Sequence, residues 1–171
     1  MSHFFRKIGL VVFLLSLALG VNAQKTPLEF NDYVASITDS LNAYGRGWGM
    51  EVKSAFESDN YSALTERRVF LEKYIDKETA ILRKMKDIKN SKALREAMIA
   101  FLNFEKTAIV AAMKPFEKMS KATTEEQKKS AIEQLTSSTA NEEAELAKVS
   151  TEQAAYAKAN NISLGAAEET E

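Results

Sequence analysis

The sequence predicts an all-α protein, a single-domain antiparallel up-down-up-down four-helix bundle with long helices. Two observations carry this prediction: apolar residues recur at spacings of three and four, and complete helix-start signals precede two of these runs. No stretch shows the alternating pattern that is typical of a strand. Because long helices joined by short turns lie antiparallel beside their neighbours, the order up-down-up-down follows. A three-helix arrangement with a separate C-terminal arm is the alternative.

The first helix is predicted over residues 27–58. Thr26 and Glu29 have the spacing of a capping box, and Pro27 occupies the first helical position, where its missing N–H costs nothing. The spacing of the apolar residues keeps the same phase before and after Gly45, Gly47 and Gly49. A loop at these glycines would leave the phase of the later residues arbitrary, so we predict one continuous helix. The apolar stripe consists of Phe30, Tyr33, Val34, Ile37, Leu41, Tyr44, Trp48, Val52 and Phe56.

The second helix is expected to begin after a turn at residues 58–60. Asp59 or Ser62 is expected to cap it, because both side chains can accept a hydrogen bond from the first free N–H groups. Its apolar stripe extends as far as Ile88. Asn90-Ser91 is expected to close this helix and to cap the next one.

The third helix is predicted to run as far as Met119, with Pro115 inside it. A proline in a helix interior removes a backbone hydrogen bond, which predicts a kink or an early end. Overlapping capping boxes at residues 123–127 predict the start of a long, alanine-rich fourth helix. Asn160-Asn161 is expected to end it.

Residues 1–23 have the layout of a cleaved secretory signal peptide, with a basic start, a short apolar run and small residues before Gln24. An uncleaved anchor is the alternative, although the run is shorter than the roughly 20 residues that span a bilayer. No later stretch approaches that length, so we predict no transmembrane segment after cleavage. We predict a four-helix bundle domain over residues 24–164, a disordered acidic tail over 165–171, and export to the periplasm, the cell surface or the medium.

The composition excludes several kinds of catalytic site. The chain has no cysteine, and its only histidine is His3, inside the predicted signal peptide. Ser-His-Asp and Cys-His catalysis and zinc sites built from thiolate or imidazole are therefore not expected. We predict a protein that is not an enzyme and has no cofactor or metal site, with a carboxylate-only enzyme that uses a hard metal ion as the alternative. The acidic side chains slightly outnumber the basic ones, so no nucleic-acid partner is predicted.

The segment AYGRGWGME at residues 43–51 holds three of the six glycines and the only tryptophan. Gly45 and Gly49 stack on one face of the helix beside the core stripe, and an interior glycine costs roughly 1 kcal/mol relative to alanine. We expect close approach of a neighbouring helix, or of a bulky side chain, to offset this cost, so that alanine at both positions would overpack and destabilise the bundle. A loop that splits the helix is one alternative. The other is a ligand cleft formed by Tyr44, Gly45, Arg46, Trp48 and Gly49.

Three carboxylates fall near the middle of their predicted helices, on or beside the apolar stripes: Glu78, Glu105 and Glu142. Bundles that bind two metal ions place glutamates there, but together with Glu-x-x-His motifs, and no histidine follows the predicted signal peptide. We expect the three glutamates to lie at helix edges and to pair with long basic side chains such as Arg67, Arg68 and Lys106.

Two segments and the four-helix spacing give the chain a resemblance to a family of uncharacterised bacterial surface proteins described from Leptospira and common in Bacteroidetes. The segments are Phe30-Asn31-Asp32 and the stretch QAAYAKAN at residues 153–160, and the sequence NAQ at the predicted cleavage site also suits exported proteins of Bacteroidetes. The resemblance implies an all-helical exported protein and supplies no catalytic residues.

The sequence therefore predicts an exported, non-enzymatic binding or interaction protein whose partner is an unidentified protein or small-molecule ligand. The alternative is a periplasmic, chaperone-like helical protein that holds unfolded clients. The two functions require different surfaces, because a binding module needs one defined cleft and a chaperone needs a broad exposed apolar groove.

Overall fold

The computed structural model of the protein describes residues 26–164, so the predicted signal peptide and the predicted acidic tail lie outside the described residues. The described chain is an all-α four-helix bundle, and no strand occurs between residues 26 and 164. The third helix of the bundle consists of three consecutive segments. The elements are α1 (Pro27–Ser58), α2 (Ser62–Lys84), α3 (Lys92–Phe104), a π-helical segment (Glu105–Ile109), α4 (Val110–Glu117) and α5 (Glu125–Ala159).

The helices form a closed square of neighbours. Helix α1 packs against α2 and α5, and the third helix of the bundle also packs against α2 and α5. This arrangement confirms the predicted four-helix bundle, and the alternative with a separate C-terminal arm is wrong because α5 packs along both α1 and the third helix. Within residues 26–164, none of the helices is both long and apolar enough to span a membrane.

Two of the three predicted capping boxes are present, and the overlapping one at Thr123 is not: the Thr123 hydroxyl accepts a hydrogen bond from the Ser120 N–H at 2.8 Å instead. The Thr26 hydroxyl accepts a hydrogen bond from the Glu29 N–H at 3.2 Å, and the Glu29 carboxylate accepts one from the Thr26 N–H at 2.7 Å. Thr124 and Gln127 form the same pair of bonds at 3.2 and 3.0 Å at the start of α5. Helix α1 continues through all three glycines to Ser58, so the loop alternative is wrong.

The boundaries of α2 differ from the prediction. Asp59 adopts the left-handed conformation that ends α1 (φ 55°). Neither Asp59 nor Ser62 caps α2 with its side chain; the Asn60 side chain accepts a hydrogen bond from the Ser62 N–H at 3.2 Å. At the other end α2 stops at Lys84, although Ile88 is still buried. The apolar stripe continued there because the connection itself packs onto the core, not because the helix continues.

The connection between α2 and α3 is held by Ser91, which is fully buried. Its hydroxyl accepts a hydrogen bond from the Ile88 N–H at 2.9 Å and donates one to Asp87 at 3.1 Å. Ser91 is the residue before α3, as predicted, but its side chain does not cap that helix. It closes the preceding turn instead.

The third helix contains a feature that the sequence did not indicate. At Glu105–Ile109 the chain is π-helical, and the Val110 N–H donates to the Glu105 carbonyl five residues earlier. Such single-turn bulges insert one residue into an α-helix and frequently occur at functional sites. Pro115 lies inside α4, which continues to Glu117 and ends two residues before the predicted end at Met119.

Helix α2 is joined to α4 by a buried ion pair. The Arg68 guanidinium donates two hydrogen bonds to the Glu117 carboxylate and one, at 2.8 Å, to Glu72 one turn along α2. The side chains of Arg68 and Glu117 are 11% and 12% exposed, so these charges are largely removed from water and depend on each other. The C-terminal end of the third helix is thereby fixed against α2.

Candidate functional site: a cleft between α1 and α5

A cleft of about 230 Å³ opens between α1 and α5 at the middle of the bundle. The third helix forms its floor, and α2 contributes one apolar side chain. The cleft is lined by Leu41, Asn42, Gly45, Arg46, Trp48 and Gly49 of α1, Leu71 of α2, Glu105, Ile109 and Met113 of the third helix, and Leu135, Thr139 and Glu142 of α5.

The glycines of α1 face open space. Apart from its chain neighbours and the nearby backbone of α1, a Cβ atom added to Gly45 or Gly49 would meet no atom within 4 Å, and one added to Gly47 would lie 3.9 Å from the end of the Arg67 side chain. The expectation that a neighbouring helix packs closely on this face is therefore wrong. Because Gly45 and Gly49 have no side chains, the α1 wall of the cleft stays open there. Their cost in helix propensity is therefore not offset by packing against a neighbour.

Four of the five residues predicted for a cleft do line it: Gly45, Arg46, Trp48 and Gly49. Tyr44 does not. Its ring packs edge-to-face against Phe70 and Tyr74 of α2, with centroid distances of 5.1 Å in both cases. Tyr44 therefore belongs to the contact between α1 and α2, on the other side of α1.

Arg46 and Trp48 contribute different polar groups. Arg46 is exposed and makes no ion pair or hydrogen bond within residues 26–164. Trp48 is only 3% exposed and packs edge-to-face on Phe116, with a centroid distance of 5.3 Å. The Trp48 Nε1–H is buried and has no acceptor in the described part of the chain. A buried donor without a partner costs on the order of 1–3 kcal/mol.

A pair of carboxyl groups lies at the floor and the α5 wall. Glu105, the first residue of the π-helical segment, is only 3% exposed, and its carboxyl group is hydrogen-bonded to that of Glu142. Burial, then the charge of Glu142 and this hydrogen bond, raise the pKa of Glu105 to about 8. Burial also raises the pKa of Glu142, while the bond to Glu105 lowers it. The pair therefore holds one proton at neutral pH, shared in the hydrogen bond between the two carboxyl groups.

The Glu105 carboxyl group is nevertheless incompletely satisfied. Its Oε1 atom is buried and has no hydrogen-bond partner among residues 26–164. Among residues 26–164, no three histidine, cysteine, aspartate or glutamate side chains lie close enough together to hold a metal ion. The pair of Glu105 and Glu142 therefore has no third acidic neighbour in this part of the chain. The arrangement can share a proton, and it can accept hydrogen bonds from a cationic group.

The prediction that the central glutamates pair with basic side chains is wrong for Glu105 and Glu142. The basic residues named for that role have other partners: Arg67 pairs with Glu51, Arg68 with Glu72 and Glu117, and Lys106 with Asp76. The third predicted carboxylate, Glu78, lies outside the cleft. It accepts a hydrogen bond from the Tyr33 hydroxyl at 2.5 Å and pairs with Lys77 at 3.1 Å.

Sequence reasoning identified Glu105 and Glu142 singly but not as a pair. They belong to different helices, and the lengthwise register between two helices is not readable from the periodicity of either one. Asn42 and Thr139, which add polar atoms to the cleft, were not predicted. The signal that could have found them is their spacing, since Asn42 precedes Arg46 by four residues and Thr139 precedes Glu142 by three.

Comparison of the chain with protein-family models, with curated proteins and with solved structures finds no match.

Alanine at both cleft glycines is expected to stabilise the protein, the opposite of what close packing predicts. Each methyl group enters open space, so the gain in helix propensity of roughly 1 kcal/mol per site is unopposed. Urea denaturation of Gly45→Ala with Gly49→Ala measures this. Gly47→Ala is the matched control for propensity alone, because Gly47 does not line the cleft. A lower midpoint for the double variant would show that the helices close over this face in solution.

Stability is expected to fall as pH rises, because the pKa of Glu105 is raised in the folded state. The unfolded chain loses this proton near pH 4.5 and the folded chain near pH 8, so the stabilisation is fully present below pH 4.5 and is lost towards pH 8. At about 1.4 kcal/mol per pH unit the loss is at most about 5 kcal/mol, and Glu105→Gln should remove most of this pH dependence. Denaturation midpoints at a series of pH values test this.

The control for this pH series is Glu143→Gln, which removes one exposed charge beside Glu142. It should retain the slope of the parent protein. Arg46 and Glu142 are the other charged residues among the described residues that line the cleft, and both remain in each variant. An equal slope in the parent and in Glu105→Gln would mean that Glu105 is ionised in the folded protein.

Proposed function

We propose that the protein is a non-enzymatic binding protein that takes a small ligand, or a small group of a larger partner, into the cleft between α1 and α5. The observation that carries the proposal is that three features, each of which lowers the stability of the fold, lie in this one cleft. Interior glycines, a buried indole N–H without an acceptor and a buried carboxyl oxygen without a donor all line the same cleft. Each lowers stability, and proteins commonly give up stability in this way where a site has to remain open.

The polar groups are arranged as in small-molecule sites generally. Such sites are concave and mostly apolar, with a few polar groups that orient the ligand. Here the apolar lining comes from five aliphatic or thioether side chains, and the polar groups belong to six residues. The apolar lining is Leu41, Leu71, Ile109, Met113 and Leu135, and the polar residues, beside the Trp48 N–H, are Asn42, Arg46, Glu105, Thr139 and Glu142.

A chaperone-like function is the alternative. A protein that holds unfolded clients needs a broad, contiguous apolar surface, whereas the large exposed apolar side chains here are spread over several elements. They are Leu28, Met50, Phe70, Ile81, Ile132 and Leu164. Because these side chains do not form one broad apolar surface, we favour the cleft. Suppression of client aggregation by a stoichiometric amount of the protein would favour the chaperone-like function instead.

We also propose that the protein is exported, as a member of the helical surface-protein type that its sequence resembles. The support is the signal-peptide layout of residues 1–23, which lie outside the described residues. The expected product begins at Gln24 and is found outside the cytoplasm. N-terminal sequencing of the native protein from cell fractions tests this, and an intact N-terminus on the exported form would identify an anchor instead.

Filling the cleft is expected to abolish ligand binding without unfolding the bundle. Trp48 is the only tryptophan, so its fluorescence reports on the cleft directly when a library of small amines, alcohols and acids is titrated. Gly45→Leu places an isobutyl group in the open space of the cleft, and Gly47→Leu places the same group on the same helix outside it. Compounds that bind the parent should bind Gly47→Leu equally and Gly45→Leu not at all. Equal loss or equal retention in both variants would contradict a site in this cleft.

A further inference from the structure

Building on the proposed binding function, we propose that the cleft selects a ligand with a primary ammonium group on a compact apolar body, and that the ammonium binds the carboxyl groups of Glu105 and Glu142.

The first support is the missing donor. Glu105 is 3% exposed, its Oε1 atom has no partner, and no basic side chain of residues 26–164 pairs with either carboxyl group. A primary ammonium carries three N–H donors on one charge. It can therefore donate to the free oxygen of Glu105 and to Glu142 together, whereas a hydroxyl group has only one donor to give.

The second support is the charge of the pair. Because the pKa of Glu105 is raised to about 8, the two carboxyl groups hold one proton between them at neutral pH and carry about one negative charge. A monovalent cation neutralises that charge, and an anionic group would be repelled by it. A hard divalent cation takes six or more oxygen ligands, and a third acidic ligand is missing from the described residues.

The third support is the lining of the rest of the cleft. Apart from its polar groups the wall is aliphatic, with the Trp48 indole beside it, and an indole ring also attracts cations. A volume of about 230 Å³ corresponds to roughly seven or eight water molecules at about 30 Å³ each. An arylalkylamine such as phenethylamine has a body of this size, and its ring would displace water from apolar surface.

The experiment compares three probes of one shape in the full mature chain: phenethylamine, its neutral counterpart 2-phenylethanol and the anion 3-phenylpropionate. Binding is followed by Trp48 fluorescence and by calorimetry. Phenethylamine is expected to bind at least about tenfold more tightly than 2-phenylethanol, since hydrogen bonds to charged groups exceed neutral ones by this order. Its affinity should rise from pH 6 to pH 9 as the pair of Glu105 and Glu142 loses its shared proton; the other charged residue that lines the cleft is Arg46 on α1.

The variants separate recognition of the ammonium from folding. Glu105→Gln with Glu142→Gln should abolish the preference for phenethylamine over 2-phenylethanol. The matched control, Glu133→Gln with Glu143→Gln, removes two exposed carboxylates from α5 and should keep the preference. Circular dichroism and the denaturation midpoint show that both double variants are folded.

The two proposals fail in different ways. Suppose that 2-phenylethanol or 3-phenylpropionate binds as tightly as phenethylamine and that this binding is lost in Gly45→Leu. The cleft is then a binding site, but the ammonium proposal is overturned. The same conclusion follows if the preference survives in the variant without the two carboxyl groups. If none of the three probes binds, the ammonium proposal is wrong, and the library titrated against Gly45→Leu and Gly47→Leu decides the binding function separately.

Discussion

A carboxyl group at the centre of an apolar bundle must keep its proton or find a partner, and the arrangement around Glu105 follows from this constraint. Glu105 lies on the floor of the cleft between helices α1 and α5. Its Oε1 atom is buried without a hydrogen-bond partner among the described residues, and Gly45 and Gly49 leave open space in the same cleft. The proton held at neutral pH and the hydrogen bond to Glu142 are both consequences of this burial.

The ends of the bundle contrast with its middle. At one end Phe30 of α1 packs edge-to-face on Tyr156 of α5 at 5.5 Å, and the Tyr156 hydroxyl donates to the Ile88 carbonyl at 2.9 Å. Gln153 donates to the Asn31 side chain at 3.2 Å beside this contact. The two segments on which the family resemblance rests therefore contact each other. They join α1 to α5 firmly at a distance from the cleft, so the cleft can stay open while the helices remain fixed.

The sequence predicted the fold well where the determinants are local. The capping boxes at Thr26 and Thr124 set the starts of α1 and α5, because both partners of each box lie within four residues. The end of α2 was predicted too late, because periodic apolar residues report burial, and the buried Ile88 lies in a connection rather than in a helix. Whether Gly45 and Gly49 face a neighbour or a cleft depends on how helices are placed against one another. The same holds for the pairing of Glu105 with Glu142, and no single-helix pattern contains that information.

The π-helical turn has a consequence for how the two halves of the third helix depend on each other. One inserted residue shifts everything after it by roughly 100° around the helix axis relative to an uninterrupted α-helix. The phase set at Glu105–Ile109 therefore decides which side of α4 meets α2, where Glu117 holds Arg68. It also decides which side carries Phe116 towards Trp48. Converting this turn to ordinary α-helix at unchanged chain length would rotate both contacts away from their partners, so the geometry of the cleft floor and the attachment of α2 depend on the same turn.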